Sequence, residues 1–135
     1  MARFEMTGID EFAKMLERAG KLDEIAPKMI EESLPILEAS LKGVVQQEAD
    51  RGYATGALVE SIKKTGSLRN AYGYFGVVRP TGVDKHGVRN MEKLAYLHYG
   101  TSKQMARPVV TRAVFQVRQK IIDKMQEVYN REVGV

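Results

Sequence analysis

The chain has 135 residues, which is the length of one domain. Its hydrophobic fraction of 44% and charged fraction of 28% exclude collagen-like, mucin-like and wholly disordered chains. The absence of cysteine excludes disulfides, thiolate catalysis and Cys-ligated zinc, and it favours a reducing compartment. No apolar run is long enough to predict a transmembrane helix, and the first residues lack the pattern of a secretory signal.

The charge is distributed unevenly along the chain. Residues 1–50 carry 6 Lys or Arg and 11 Asp or Glu, a net charge of −5, whereas residues 51–135 carry 15 and 6, a net charge of +9. This asymmetry indicates electrostatic complementarity within the fold or between copies of it. The simpler alternative is that helices in the first third have Glu-rich faces in water.

The first twenty residues predict a strand followed by a helix. The alternation over Arg3–Met6 is typical of a short strand, and Thr7–Asp10 would end it. A helix would then run to about Lys21, with Gly20 near its end. Four apolar residues share one face of that helix, namely Phe12, Met15, Leu16 and Ala19.

The next segment predicts a long amphipathic helix. Between Asp23 and Asp50, apolar residues recur at spacings of three and four, over about six turns. Pro27 suits the first turn of that helix. Pro35 does not suit its interior, so we expect a kink there or two helices broken near Ser33.

The middle of the chain predicts a short helix, two strands and a loop. Thr55–Ile62 is typical of a turn followed by one or two helical turns. Strands are expected over 63–68 and 72–78, joined by a turn at 68–71. The segment Arg79–Asn90 contains glycine, proline, four charged residues and a histidine, so we expect an exposed loop that becomes ordered on contact with a neighbour.

The C-terminal third predicts a short helix at Met91–Tyr99 and a long helix opened by Pro108. The long helix would bury one stripe, consisting of Val110, Val114, Val117, Ile121, Met125 and Val128. Helices and strands are segregated along the chain. This order predicts a single α+β domain over residues 1–135, with a small antiparallel sheet of three to four strands packed against two long helices and short helices.

Residues that could support catalysis are scattered. His86 and His98 lie in different predicted elements, and adjacent carboxylates on a helix point about 100° apart. His98 lies between apolar neighbours, where a packed or hydrogen-bonded structural role is expected. The sequence therefore predicts no enzyme, with no catalytic residues, no cofactor and no metal site.

Basic residues offer two candidate surfaces. One is a group of basic residues around the aromatic strand, a mixture used to bind nucleic-acid backbones, consisting of Lys63, Lys64, Arg69 and Arg79. The other is a candidate interface on the polar side of the last helix, consisting of Arg112, Lys120 and Lys124. A small basic nucleic-acid-binding module, or loose contact with the DNA backbone, is therefore an alternative to a purely structural protein.

Residues 94–113 resemble a known family. Aromatic residues spaced by three, a Gly-Thr pair and a later small-Arg-Pro sequence occur in order, as Tyr96, Tyr99, Gly100, Thr101, Ala106, Arg107 and Pro108. A second motif fits the pattern Thr-Gly-x-Leu-x-x-Ser-Ile, as Thr55, Gly56, Leu58, Ser61 and Ile62. The chain thus resembles the tail-completion, or head–tail joining, proteins of long-tailed double-stranded DNA phages and prophages. Val109 stands where that family often has Phe.

The resemblance implies a non-enzymatic virion component of the phage neck. Such a protein would join or complete the tail as an oligomeric ring, made in the host cytoplasm and retained in the virion. Its expected partners are copies of itself, the head connector and the tail-tube or tail-terminator proteins, with no membrane involved. Physically, the motif predicts a rigid corner in which Gly100 ends one helix, Pro108 presets the next, and Tyr96 and Tyr99 bury their rings.

Overall fold

A computed structural model describes the backbone of residues 2–134 and the side chains of residues 9–18 and 20–134. Helices dominate the described residues, and the strands are short and antiparallel. The α+β class is therefore confirmed. In chain order the elements are α1 (Ala2–Asp50), α2 (Gly56–Ser61), β1 (Ile62–Lys64), β2 (Leu68–Asn70), β3 (Gly73–Phe75), β4 (Val78–Pro80), α3 (Asn90–Tyr99) and α4 (Val109–Val133).

Helix α1 is continuous from Ala2 to Asp50. The predicted strand at Arg3–Met6 is therefore wrong, and so is the predicted interruption at Thr7–Asp10. The helix also does not break near Ser33. A strand needs a neighbouring strand for its hydrogen bonds, and the described strands pair among themselves. Pro35 removes one N–H from a helix whose buried stripe continues on both sides of it, so packing outweighs the missing hydrogen bond.

The four strands form two antiparallel pairs of one interrupted hairpin. Strand β1 pairs with β4 in the register Ile62↔Pro80, and β2 pairs with β3 in the register Leu68↔Phe75. Between the pairs, the Thr65 amide donates to the Val77 carbonyl at 2.9 Å. The sheet of three to four strands is confirmed as this arrangement of two plus two. The turn predicted at residues 68–71 lies later, because Leu68–Asn70 is itself strand β2.

Helices α1 and α4 pack antiparallel and form the largest contact in the fold. Ser40 Oγ donates to the Ala113 carbonyl at 2.8 Å, and Lys28 Nζ lies 2.9 Å from Glu132 Oε2 near the other end of α4. The core cluster lies where the two helices meet the hairpin, α2 and α3, and consists of Leu41, Val44, Val45, Leu58, Ile62, Leu94, Leu97, Val109 and Ala113. The fold thereby places both sequence motifs against the C-terminal end of α1.

The buried stripe of α4 is rotated from the predicted one. Val117 and Val128 are buried as expected, but Val110 and Val114 are exposed. Val109 and Ala113 are buried instead. These positions are immediate neighbours on the helix, so apolar spacing alone admits both choices. Ala113 is the residue that faces α1, because its small side chain allows the close approach of the two helices that the Ser40 hydrogen bond requires.

Candidate functional site

The main motif forms a tight corner between α3 and α4. Gly100 ends α3 at a φ of 80°, and its amide donates to the Tyr96 carbonyl at 2.9 Å. A Cβ at Gly100 would lie 2.7 Å from the Ala106 amide nitrogen, so the chain doubles back on the glycine itself. Thr101 stabilises the turn that follows Gly100, because its Oγ1 accepts a hydrogen bond from the Gln104 amide at 3.1 Å. The predicted role of Gly100 as the end of the helix is confirmed.

Arg107 connects the corner to the rest of the fold. Its amide donates to the Leu97 carbonyl at 2.8 Å, and its Nη1 lies 3.1 Å from Glu48 Oε2. The guanidinium also stacks on Tyr53, with its carbon 3.3 Å from the ring centroid. Pro108 follows at the N-cap position of α4, without a side-chain capping hydrogen bond. The Arg-Pro pair of the motif therefore both starts α4 and connects the corner to α1.

Glu48 is the centre of this contact, and it lies outside both sequence motifs. Its side chain is 0% exposed, and it lies 2.7 Å from Arg112 Nη1 and 3.5 Å from Arg51 Nη1 in addition to Arg107. The hydrogen bond from Arg112 and the charges of the other two guanidiniums hold the pKa of Glu48 below its usual value, against the opposing effect of burial. One signal was present in the sequence: Glu48 continues the apolar stripe of Leu41, Val44 and Val45.

The two tyrosines of the motif do not bury their rings, so that expectation is wrong. Tyr96 is 48% exposed and Tyr99 is 78% exposed. The Tyr96 hydroxyl donates to Glu92 one turn earlier, which raises the pKa of Tyr96. They lie outside the core because α3 turns Leu94 and Leu97 inward instead.

His98 has the structural role that its apolar neighbours predicted. Its Nδ1 accepts a hydrogen bond from the Val110 amide at 3.4 Å. The imidazole thereby bonds one of the first N–H groups of α4, which have no acceptor within the helix. Its ring also meets the Tyr99 ring edge-on, with centroids 4.6 Å apart. His98 therefore links the last turn of α3 to the first turn of α4.

The second motif forms α2 and the start of the hairpin. Thr55 caps α2, because its Oγ1 accepts from the Leu58 amide at 3.2 Å, and Gly56 is the first residue of the helix. Leu58 and Ile62 enter the core. Ser61 Oγ donates to the Leu58 carbonyl at 2.6 Å and so closes the last turn. The predicted turn and short helix are confirmed.

The two motifs meet in space although about 40 residues separate them. A depression of about 240 Å³ lies between them, lined by Tyr53, Ala54, Thr55, Leu58, Lys93, Tyr96, Leu97 and Gln104. Leu58 and Leu97 share the core cluster beneath it. The arrangement is a packed joint of aromatic, apolar and polar groups that includes one cation, Lys93.

The three residues of the candidate interface do not act as one patch. Arg112 binds inward, to Glu48 and to Gln47 Oε1 at 3.0 Å. Lys124 pairs with Glu127 of its own helix at 3.3 Å. Lys120 is exposed beside a groove between α1 and α4. The structure therefore brings Lys120 and Lys124 to the α4 surface and assigns Arg112 to the buried ion pair.

Part of the charge asymmetry is used in ion pairs within the fold. Acidic residues of α1 pair with basic residues of the C-terminal half, as Glu48 does with Arg107 and Arg112. At the other end of α4, Arg131 pairs with Glu32 and lowers its pKa. Complementarity within one chain thus accounts for part of the −5 and +9 distribution. Complementarity between copies stays a prediction.

The segment between β4 and α3 is an exposed loop, as predicted, and it has internal order. Asp84 accepts from the amides of His86 and Val88 at 2.8 and 2.9 Å, and it pairs with Lys93 of α3. These partners lower the pKa of Asp84 to about 2. A β-bridge joins Val83 and Arg89 at the base of the loop. The prediction that the loop becomes ordered on contact remains a prediction.

Among the described side chains, those of residues 9–18 and 20–134, no group of three His, Asp or Glu could hold a metal ion. Over the same residues, no helix is long and apolar enough to cross a membrane. No protein-family model, curated protein or solved structure matches this chain.

Proposed function

We propose that this chain is a non-enzymatic structural protein of a phage neck, which joins or completes the tail at the head–tail interface as a ring. The observation that carries the proposal is the meeting of the two motifs that resemble the tail-completion family. Although they are far apart in sequence, they form one joint through Leu58 and Leu97. Arg107 then ties this joint to Glu48 of α1.

The joint has the properties of a scaffold. Several of its polar groups make internal bonds, including the carboxylate of Glu48 and the hydroxyls of Thr55 and Ser61. A site for chemistry needs groups left free to meet a substrate. A joint that fixes the angles between α1, α3 and α4 suits a protein whose task is to hold its neighbours in place.

Native mass spectrometry across protein concentration, with and without duplex DNA, tests the proposal. A neck protein of this kind gives one closed ring of defined number, and its mass is unchanged by DNA. Electron microscopy of the same sample should show annular particles. A protein that stays monomeric at all concentrations, or forms open-ended polymers, contradicts assembly as a closed ring.

A nucleic-acid-binding module is the second candidate, favoured by the hairpin. Lys63 and Arg79 lie directly opposite each other on β1 and β4, and both are exposed. Like charges in register repel, and an anion bound between them would relieve that repulsion. Arg69 also lies 5.4 Å from the centroid of the Tyr74 ring on the same hairpin.

This alternative predicts binding of the monomer to DNA at physiological salt, with a steep dependence on salt concentration. Replacing both Lys63 and Arg79 with Glu should then abolish binding, while the same change at both Lys85 and Lys103, which are exposed and lie outside the hairpin, serves as a charge-matched control. Loss of binding in the hairpin variant alone would move this function ahead of the neck proposal. DNA binding equally weak in all three proteins would remove it.

A further inference from the structure

The first part of α1 extends beyond the packed body of the fold. We define the arm as residues 9–24, in which every described side chain is exposed, and Ile25 is the first buried one. The arm nevertheless carries five large apolar side chains, each at least 44% exposed, namely Ile9, Phe12, Met15, Leu16 and Leu22. A contiguous apolar patch of this kind on a soluble chain marks an interaction surface.

The apolar face of the arm is a continuation of the core stripe. Ile9 and Leu16 are seven residues apart, and the same series continues through Ile30, Leu37 and the buried Val44. Helix α4 covers this stripe only up to the region of Lys28, since α4 ends at Val133 and Gly134 closes it with a φ of 76°. The arm therefore presents the same kind of surface that α4 covers elsewhere, with no covering helix in the described residues.

The helical state of the arm calls for a partner. Helices in proteins are stabilised mainly by packing of an apolar face rather than by propensity. The arm also contains Gly20, which costs about 1 kcal/mol relative to Ala within a helix. Because α1 is one continuous helix, the arm cannot turn back onto α4 of its own chain. The covering surface must come from another molecule.

A matching surface lies on the outer side of α4. Phe115 and Ile122 are seven residues apart, and they are 79% and 50% exposed. Val114, 42% exposed, lies beside them, and Arg118 lies between them on the same side of the helix. We call these four residues the outer face of α4. Phe115, Arg118 and Ile122 lie on the side of α4 that faces away from Ala113 and Val117. Val114 lies at the edge of this side, where it also borders a groove with Leu37 and Leu41 of α1.

Charge selects the pairing of these two surfaces. Asp23 falls in the seven-residue series of the arm, between Leu16 and Ile30, so a partner on the arm would cover a carboxylate. On the outer face of α4, Arg118 lies between the apolar residues Phe115 and Ile122 in the same way. Neither makes an ion pair within residues 9–134. A charge that becomes covered needs a counter-charge, and each of these two surfaces supplies the one that the other lacks.

We propose that the arm of one copy lies on the outer face of α4 of a second copy, with Asp23 paired to Arg118. A stable interface buries on the order of 800 Å² per partner, and five large apolar side chains over about four turns provide a patch of that order. Each copy gives one arm and receives one, which is a heterologous contact and closes into a ring when the rotation permits. The inference rests on the proposed function and names the surfaces that would build its ring.

Disulfide trapping tests the contact directly, since the chain has no cysteine of its own. Asp23→Cys protein mixed with Arg118→Cys protein should form a mixed disulfide under mild oxidation. Lys120→Cys is the matched control, because Lys120 is exposed on the opposite side of α4. Equal yields with Arg118→Cys and Lys120→Cys would overturn the proposal. So would a predominance of Asp23→Cys homodimers, which would indicate that two arms pair with each other.

Charge exchange gives a second readout without cross-linking. Asp23→Arg and Arg118→Asp should each raise the concentration needed for assembly about tenfold or more, and the double variant should return it close to that of the original protein. Circular dichroism checks that all three variants stay folded. Failure of the double variant to recover assembly overturns the pairing.

The outcomes separate this inference from the proposed function. Rings that form normally with Asp23→Arg reject the arm contact and leave the neck proposal standing. A mixed disulfide in a protein that never forms closed rings supports the arm contact and contradicts the ring. Protection of arm amides from hydrogen exchange that requires added head or tail components assigns the arm to a different protein, and it overturns the pairing between copies.

Discussion

Replacing Glu48 with Ala should destabilise the fold by about 3 kcal/mol. The change removes hydrogen bonds from two guanidiniums, each worth about 1.5–3 kcal/mol when one partner is charged. Breaking a fully buried pair costs about 3–5 kcal/mol. The figure is reduced here because Arg107 and Arg112 keep 26% and 33% of their side chains in water, where they regain hydration. Packing is also lost, since the Glu48 side chain is fully enclosed.

The assay is unfolding by urea and, separately, by heat, each followed by circular dichroism at pH 7 and constant protein concentration. For a chain of this size, about 3 kcal/mol corresponds to a decrease in Tm of about 10 °C. Glu31→Ala is the matched control, since Glu31 lies on the same helix, is exposed and makes no ion pair within residues 9–134. A loss below about 1 kcal/mol for Glu48→Ala, or an equal loss for Glu31→Ala, would refute the reasoning.

The pH dependence of the same site has a definite sign. Because the folded pKa of Glu48 is below the usual value of 4.5, its stabilisation is fully present above that pH. It is lost as the pH falls from about 4.5 through the lower folded pKa. A Glu48→Gln protein is expected to be less stable at pH 7 and to lose less stability over that acid range. Parallel pH profiles for both proteins would contradict the assignment.

Three further expectations concern single positions away from Glu48. Gly100→Ala should cost about 2 kcal/mol or more, measured as a lower Tm, because of the positive φ and the 2.7 Å approach to Ala106. Gly43→Ala should instead increase the free energy of unfolding by about 0.5–1 kcal/mol, measured as a higher Tm. Gly43 lies in a helix, and a Cβ added there would meet open space. Asp84→Asn should be less stable at pH 7 and should remove the stability loss seen as the pH falls from 3.8 towards about 2, the folded pKa set by Lys93 and two amides. An unchanged acid limb in that variant would count against the role of Asp84.

Sequence patterns predicted the elements that local physics controls. Apolar spacing predicted α1 from Asp23 onward and α4 after Pro108, because a helix long enough to bury one face shows that face in its sequence. Thr55 marked the start of α2 through its side-chain cap. The corner at Gly100 was also local, since a residue with a positive φ at the end of a helix is most often glycine.

The candidate site was predictable in its motif residues but not in their partners. Arg107 and Arg112 both stood out in the sequence, one in the motif and one in a basic surface. Their meeting at Glu48 spans 59 and 64 residues of chain, and only the packing of α4 on α1 produces it. No local pattern distinguishes an arginine that will point into a helix interface from one that will point into water.

By itself, the sequence determined the α+β class, the two long amphipathic helices, the capped α2 and the glycine corner. Each of these depends on residues within a few turns of one another, where backbone geometry and side-chain spacing decide the outcome. Tertiary structure alone decided that Glu48 is buried, that Tyr96 and Tyr99 face outward and that Ala113 rather than Val114 meets α1. It also decided that α1 continues through Pro35 and that its arm extends past α4. These outcomes depend on which surfaces meet across the fold, and the free energy of those contacts outweighs local preference.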